Sequence, residues 1–170
     1  MKKCIALCVC LTLALCAVSA QAPKKILSNG DIDAFVKNMP TIDAELSALG
    51  DKYNDFFEPA MSESASPSEN MATMRAINPP DEIKAILKKN GLGNNGFEKI
   101  IVITAAFGVV EMEEAFAGQN EQMQDNPEMQ SYMEEAMKQL DELKASVHKD
   151  DFALVTKRRA DIAGVLSASE

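Results

Sequence analysis

Cysteine, tryptophan and histidine are scarce in this 170-residue chain, and their scarcity limits the chemistry it can perform. There is no tryptophan and one histidine, His148. All four cysteines lie within the first 20 residues, at Cys4, Cys8, Cys10 and Cys16. Residues 21–170 are therefore excluded as a disulfide scaffold, a cysteine-based zinc site or a thiol enzyme.

Basic charge is also scarce. Lys2 and Lys3 account for two of the 17 basic residues, which leaves 15 basic and 26 acidic residues, a net charge of −11, in residues 21–170. Nucleic-acid binding needs clustered Lys and Arg that contact phosphates, so we expect no nucleic-acid partner. The one dense basic run, Lys157-Arg158-Arg159, is expected to form salt bridges with neighbouring helices; contact with anionic lipid or with an acidic partner is the alternative.

The first 20 residues have the pattern of a cleaved secretory signal peptide. A basic start precedes an uncharged apolar stretch at 4–18, and Val18-Ser19-Ala20 fits the small-residue cleavage rule, with cleavage expected after Ala20. The stretch is shorter than the roughly 20 helical residues that span a bilayer, so we expect no integral membrane protein after cleavage. The sequence thus predicts export to the periplasm or the exterior.

Lipid attachment at Cys16 is an alternative to simple cleavage. Leu15 directly precedes that cysteine and is larger than the residue that a lipoprotein site favours there. The cleaved signal peptide is therefore preferred, followed by one domain at 21–170.

Apolar residues at helical spacing predict an all-α fold, a single compact bundle of about six helices. Ser28 and Asp31 form a capping-box pattern at the start of the first helix, which Pro40 is expected to end. A second helix is expected from Thr41 to Pro59. A mobile Ser/Pro-rich loop is expected at about 58–80, with at most a helical turn near 71–77.

The most apolar segment after the signal peptide is predicted to be the central helix, at about 96–117. Residues 100–110 carry no charge and are too few to cross a membrane. Other helices are expected from about 80 to 89, from Pro127, and from about 150 to 166. The helix from Pro127 has an apolar seam nearly three heptads long, suited to an antiparallel partner helix.

A literal G-x-G-x-x-G pattern occurs at 91–96. In a dinucleotide site this pattern must follow a β-strand, whereas here it follows an amphipathic helical segment. We therefore interpret it as a Gly/Asn-rich connection and expect no cofactor.

Nine methionines follow the start residue, and five of them cluster in the second half of the chain. The five are Met112, Met123, Met129, Met133 and Met137. Thioethers suit Cu(I), so Met123, Met129 and Met133 are candidate metal ligands. Thioethers also fill irregular helix seams, and that packing role is preferred because the positions coincide with the heptad seam. Only Met123 is expected to be exposed.

Two further groups of titratable residues are candidates for a metal site or a catalytic pair. His148, beside Asp150 and Asp151, is a partial metal site at most, because carboxylates near a helix start usually cap it. Glu111 and Glu114 share a helix face and could divide acid and base roles in a hydrolase, although a solvated face is the default.

No motif identifies a family, and no catalytic constellation is recognisable. The leading hypothesis is an exported, non-enzymatic helical protein that binds an envelope protein or an apolar small molecule. The alternative is a methionine-based Cu(I)-handling protein.

Overall fold

Seven α-helices make up most of the chain that the structure, a computed structural model, describes: residues 23–53, 65–119 and 127–167. They are α1 (Asn29–Ser47), α2 (Pro67–Ala76), α3 (Asp81–Lys89), α4 (Gly96–Gln119), α5 (Pro127–Ala145), α6 (Lys149–Lys157) and α7 (Arg159–Leu166), with a 3₁₀ turn at Gly50–Tyr53. These residues contain no strand, so the predicted all-α class is confirmed. The predicted signal peptide lies outside the described residues.

Helix α4 packs mainly against five other helices: α1, α2, α3, α5 and α6. Its β-branched residues from Ile101 to Ile103 lie in the helix and are buried. Burial on many sides explains why residues 100–110 of this helix carry no charge. Among the helices of the described ranges, none is both long and apolar enough to cross a membrane.

The prediction that Pro40 ends the first helix is wrong, because α1 continues through Pro40 to Ser47. A proline inside a helix removes one backbone hydrogen bond and costs about 3 kcal/mol. Phe35 before it and Ile42 after it are both fully buried, and burial of each such side chain contributes about 1.5–3 kcal/mol. Pro40 itself is exposed. The predicted helix end at Pro59 lies outside the described residues.

Part of the segment predicted to be a loop is helical, since α2 spans Pro67–Ala76. The Ser66 hydroxyl accepts a hydrogen bond from the Glu69 N–H, and the Glu69 carboxylate accepts one from the Ser66 N–H at 2.8 Å. This capping box lies within the serine-rich run, where the abundance of small polar residues suggested a loop instead. Met71 on this helix is buried against the core.

The last predicted helix is divided into α6 and α7 at Arg158. Helix α6 packs mainly against α4, whereas α7 packs against α1. Different packing partners require different helix axes, so the chain turns between them. Val155 and Ile162, one on each helix, are both fully buried as a result.

Candidate interaction surface

Three large apolar side chains of the described residues are strongly exposed, and all three lie on α4 and α5. Met112 on α4 is 46% exposed, and Tyr132 and Met137 on α5 are 77% and 44% exposed. Single exposed apolar residues are common on proteins, whereas exposed apolar patches are typical of interaction sites. Tyr132 and Met137 are five residues apart, about 140° around α5, and therefore face different directions. We call Met112, Tyr132 and Met137 the apolar trio.

Helix α5 is held in place by contacts near its C-terminal end. Lys144 Nζ lies 2.6 Å from a Glu113 carboxylate oxygen on α4. The Arg75 guanidinium of α2 donates to Glu98 at 2.7 Å and to the Ser146 carbonyl at 3.2 Å, which joins α2 both to α4 and to the end of α5. These contacts fix the direction of α5 without using Tyr132 or Met137.

The sequence predicted that the clustered methionines of the second half of the chain fill the helix seam. This is wrong for Met112 and Met137, which are exposed. On α5 the buried stripe is centred between Leu140 and Leu143, and Met137 lies about 90° around the helix from that centre. Met133 lies closer to the centre and is half-buried. Met123 and the side chain of Met129 lie outside the described residues.

Acidic side chains border the apolar residues on α5. Glu134, Glu135, Asp141 and Glu142 are all exposed. Within the described residues, none of the four forms an ion pair with a lysine or arginine, although Glu135 accepts a weak hydrogen bond from Gln139 at 3.4 Å. We call these four residues the acidic border.

His148, a candidate metal ligand, caps a helix. Its Nδ1 accepts a hydrogen bond from the Asp150 N–H at 3.1 Å, at the start of α6. The part of the chain that is described contains no group of three or more His, Cys, Asp or Glu side chains placed to hold a metal ion. The expectation that the carboxylates cap this helix is wrong, because the imidazole does so.

Asp151 has a structural role that the sequence did not reveal. Its side chain is 1% exposed, and its two carboxylate oxygens accept hydrogen bonds from the N–H groups of Ile26 and Leu27, at 2.9 and 3.0 Å. It therefore anchors the segment before α1, more than 120 residues away in sequence. Only tertiary structure brings these groups together, so no local sequence signal could have found them.

Glu111 and Glu114, the candidate acid and base of a hydrolase, both bind Arg159. The Arg159 Nε lies 2.5 Å from Glu111, and its Nη1 contacts Glu114. The hydrogen bond from Arg159 lowers the pKa of Glu111, which favours the ionised form and opposes a role as general acid. Arg158 pairs with Asp33 at 2.8 Å, so the predicted salt bridges of the basic run are confirmed for both arginines.

The G-x-G-x-x-G segment connects α3 to α4, as interpreted from the sequence. Gly91 and Gly93 have positive φ angles of 88° and 76°, which glycine adopts most readily. Lys99 Nζ donates to the Leu92 carbonyl at 2.9 Å and lies 2.6 Å from Asp31. The lysine thus binds this connection to the start of α1.

The chain matches no model of a protein family, no curated protein and no solved structure. What the apolar trio and the acidic border can bind follows from their exposure and charge.

Proposed function

We propose that this protein is an exported, non-enzymatic helical protein that binds another protein of the cell envelope through the apolar trio on α4 and α5. The observation that carries the proposal is the exposure of two methionines and a tyrosine on two neighbouring helices. Methionine and aromatic residues are enriched at protein interfaces, and methionine adapts to partners of varied shape.

Export is part of the proposal. Residues 1–20 act as a signal peptide cleaved after Ala20, and residues 21–170 fold as one bundle around α4. A mass spectrum of the protein recovered from the exported fraction tests this directly. A chain beginning at Gln21 supports cleavage after Ala20, whereas a lipid-sized addition on Cys16 or an intact Met1 contradicts it. Absence of the protein from the exported fraction contradicts export.

The binding site is tested by photo-crosslinking in living cells. A photoreactive amino acid replaces Tyr132, which is 77% exposed, and in a matched variant it replaces the exposed Ala153 on α6. We expect a discrete protein adduct from position 132 and none from position 153. Met137→Gln should remove that adduct, because it replaces an apolar contact by an amide of similar size.

Absence of an adduct at position 132, or equal adducts from both positions, contradicts the proposed surface. An apolar small molecule is the other ligand expected from the sequence. Native mass spectrometry of the purified protein distinguishes it, because a retained lipid adds a defined mass that organic extraction removes.

A second function, Cu(I) binding by thioethers, is favoured by the same exposure. Met137 is exposed and Met133, four residues earlier on α5, is half-buried, so both sulfurs lie on adjacent turns. A Cu(I) competition titration tests it with Met123, Met129, Met133 and Met137 changed to Leu. Met74→Leu on α2 is the control. Affinity retained by the quadruple variant contradicts the copper function.

A further inference from the structure

The four acids of the acidic border form no ion pair with a described lysine or arginine, a property that they share with few other described acids, such as Asp43. Elsewhere in the described chain, eleven acidic side chains form ion pairs with lysine or arginine. On the exposed face of α5, Lys138 is the basic residue among Glu134, Glu135, Asp141 and Glu142. Negative charge is thus left uncompensated where the apolar side chains are exposed.

The spacing of these acids relates them directly to the apolar trio. Glu134 lies three residues before Met137 and Asp141 four residues after it, so both acids neighbour Met137 on the helix surface. Glu135 lies three residues after Tyr132 in the same way. Each exposed apolar side chain of α5 therefore has an unpaired carboxylate beside it. Met137, Glu134 and Asp141 share one face of α5, whereas Tyr132 and Glu135 lie on another, about 140° around the helix.

We propose that the segment that binds the face formed by Met137, Glu134 and Asp141 is a cationic amphipathic helix, with apolar side chains on one face and lysine or arginine beside them. This inference rests on the proposed protein-binding function and specifies the partner's chemistry. Glu134 and Asp141 are two helical turns apart, about 10 Å, which matches basic side chains seven residues apart on a partner helix. Complementary charge also accelerates association and excludes partners of like charge.

Other occupants fit less well. A second copy of this chain carries the same acidic border and the same net charge of −11 over residues 21–170, so pairing of two such faces brings like charges together. A membrane of anionic lipid is repelled for the same reason. A cationic segment is attracted by these charges.

The probe for the test is a fluorescent peptide of about 18 residues, close to the length of α5, with leucines at helical spacing and lysines elsewhere. Fluorescence anisotropy measures its binding to the purified protein. Three comparison peptides are used: one with glutamate in place of lysine, one with glutamine, and one with the leucines and lysines in scrambled order. Binding is measured at salt concentrations where the Debye length is about 30 Å and about 8 Å.

We expect the Leu/Lys peptide to bind at least about tenfold more tightly than the Leu/Glu peptide, and this difference to shrink at the higher salt concentration. The double variant Glu134→Gln/Asp141→Asn should weaken binding about threefold to tenfold. The double variant Asp43→Asn/Asp81→Asn removes the same charge from exposed positions on α1 and α3, of which Asp81 pairs with Lys84 at 3.4 Å, and should change binding less than about twofold.

The remaining outcomes separate the two proposals. If the Leu/Gln peptide binds as tightly as the Leu/Lys peptide, and Met137→Gln weakens both, the cationic inference fails while the apolar surface stands. If Met137→Gln and Tyr132→Ala leave every peptide unaffected, both fail. Equal binding of the scrambled Leu/Lys peptide, or equal effects of the two double variants, shows non-specific attraction to the net charge and overturns the inference.

Discussion

Removal of the Asp151 carboxylate should destabilise the protein more than removal of any exposed acid. Both of its oxygens accept backbone N–H bonds, and Leu27, one of the donors, is 2% exposed. A hydrogen bond to a charged group contributes about 1.5–3 kcal/mol, and some of this is offset by the cost of burying the carboxylate. We expect Asp151→Ala to lower the free energy of unfolding by about 3 kcal/mol.

Urea denaturation followed by circular dichroism measures this change. For a chain of this size, with an m value of about 1.5 kcal/mol/M, the midpoint should fall by about 2 M. Asp150→Ala is the control, because Asp150 is the adjacent residue, is half-exposed and has Lys25 at 3.6 Å as its ion-pair partner. Its effect should be smaller than about 0.5–1 kcal/mol.

A second comparison tests whether the loss arises from the anchor itself. In a chain that begins at Ser28, the N–H donors of Ile26 and Leu27 are absent, so Asp151→Ala should cost little or even stabilise. The reasoning is refuted if Asp151→Ala costs less than about 0.5 kcal/mol in the longer chain. It is also refuted if the cost is the same in both chains.

Three further predictions concern other local contacts. Burial raises the pKa of Asp31, but hydrogen bonds from Lys99 and Ser28 outweigh this effect and hold the pKa below its ordinary value of 3.8. The stabilisation that Asp31 contributes is therefore present above pH 3.8 and is lost as the pH falls through the folded-state pKa. Asp31→Asn should flatten the acid limb of a curve of stability against pH. Ser66→Ala should cost about 1 kcal/mol by thermal or urea unfolding, while Ser66→Thr retains most of the cap; equal losses would contradict the capping role. Gly96→Ala should lower the free energy of unfolding by about 1–3 kcal/mol, because the added Cβ would lie 2.8 Å from the Leu87 Cβ. In the control Gly108→Ala the added Cβ meets no atom within 4 Å, so the same assay should show a neutral or stabilising effect.

Helix starts with local caps could be predicted from the sequence, and helix ends governed by packing could not. Ser28 and Asp31 form the predicted capping box, since both groups lie within one turn of the chain. Pro40 is a local stop signal, but the burial of Phe35 and Ile42 on either side of it outweighs the lost hydrogen bond. The break at Arg158 has no stop residue at all and follows from different packing partners.

Exposure was harder to predict than helicity. A heptad pattern shows which residues share a face, and it placed Leu140 and Leu143 correctly in the seam of α5. It does not show how wide the covered face is, which depends on the partner helices. Met137 lies at the edge of the seam and is exposed for that reason. The interaction surface therefore became visible only in the structure: the sequence pointed to Met112 and Met137, but not to Tyr132 or the acidic border.

The protein-binding and copper hypotheses depend on the same side chains, and two substitutions at one position separate them. Met137→Leu keeps an apolar side chain of similar volume but removes the thioether. Met137→Gln keeps the length but removes both the apolar surface and the sulfur. A protein interface should tolerate leucine and lose affinity with glutamine, because it depends on apolar area. Cu(I) binding should weaken with both, because it depends on sulfur. Copper affinity that leucine leaves intact refutes Met137 as a ligand, and crosslinking that glutamine leaves intact refutes it as a contact.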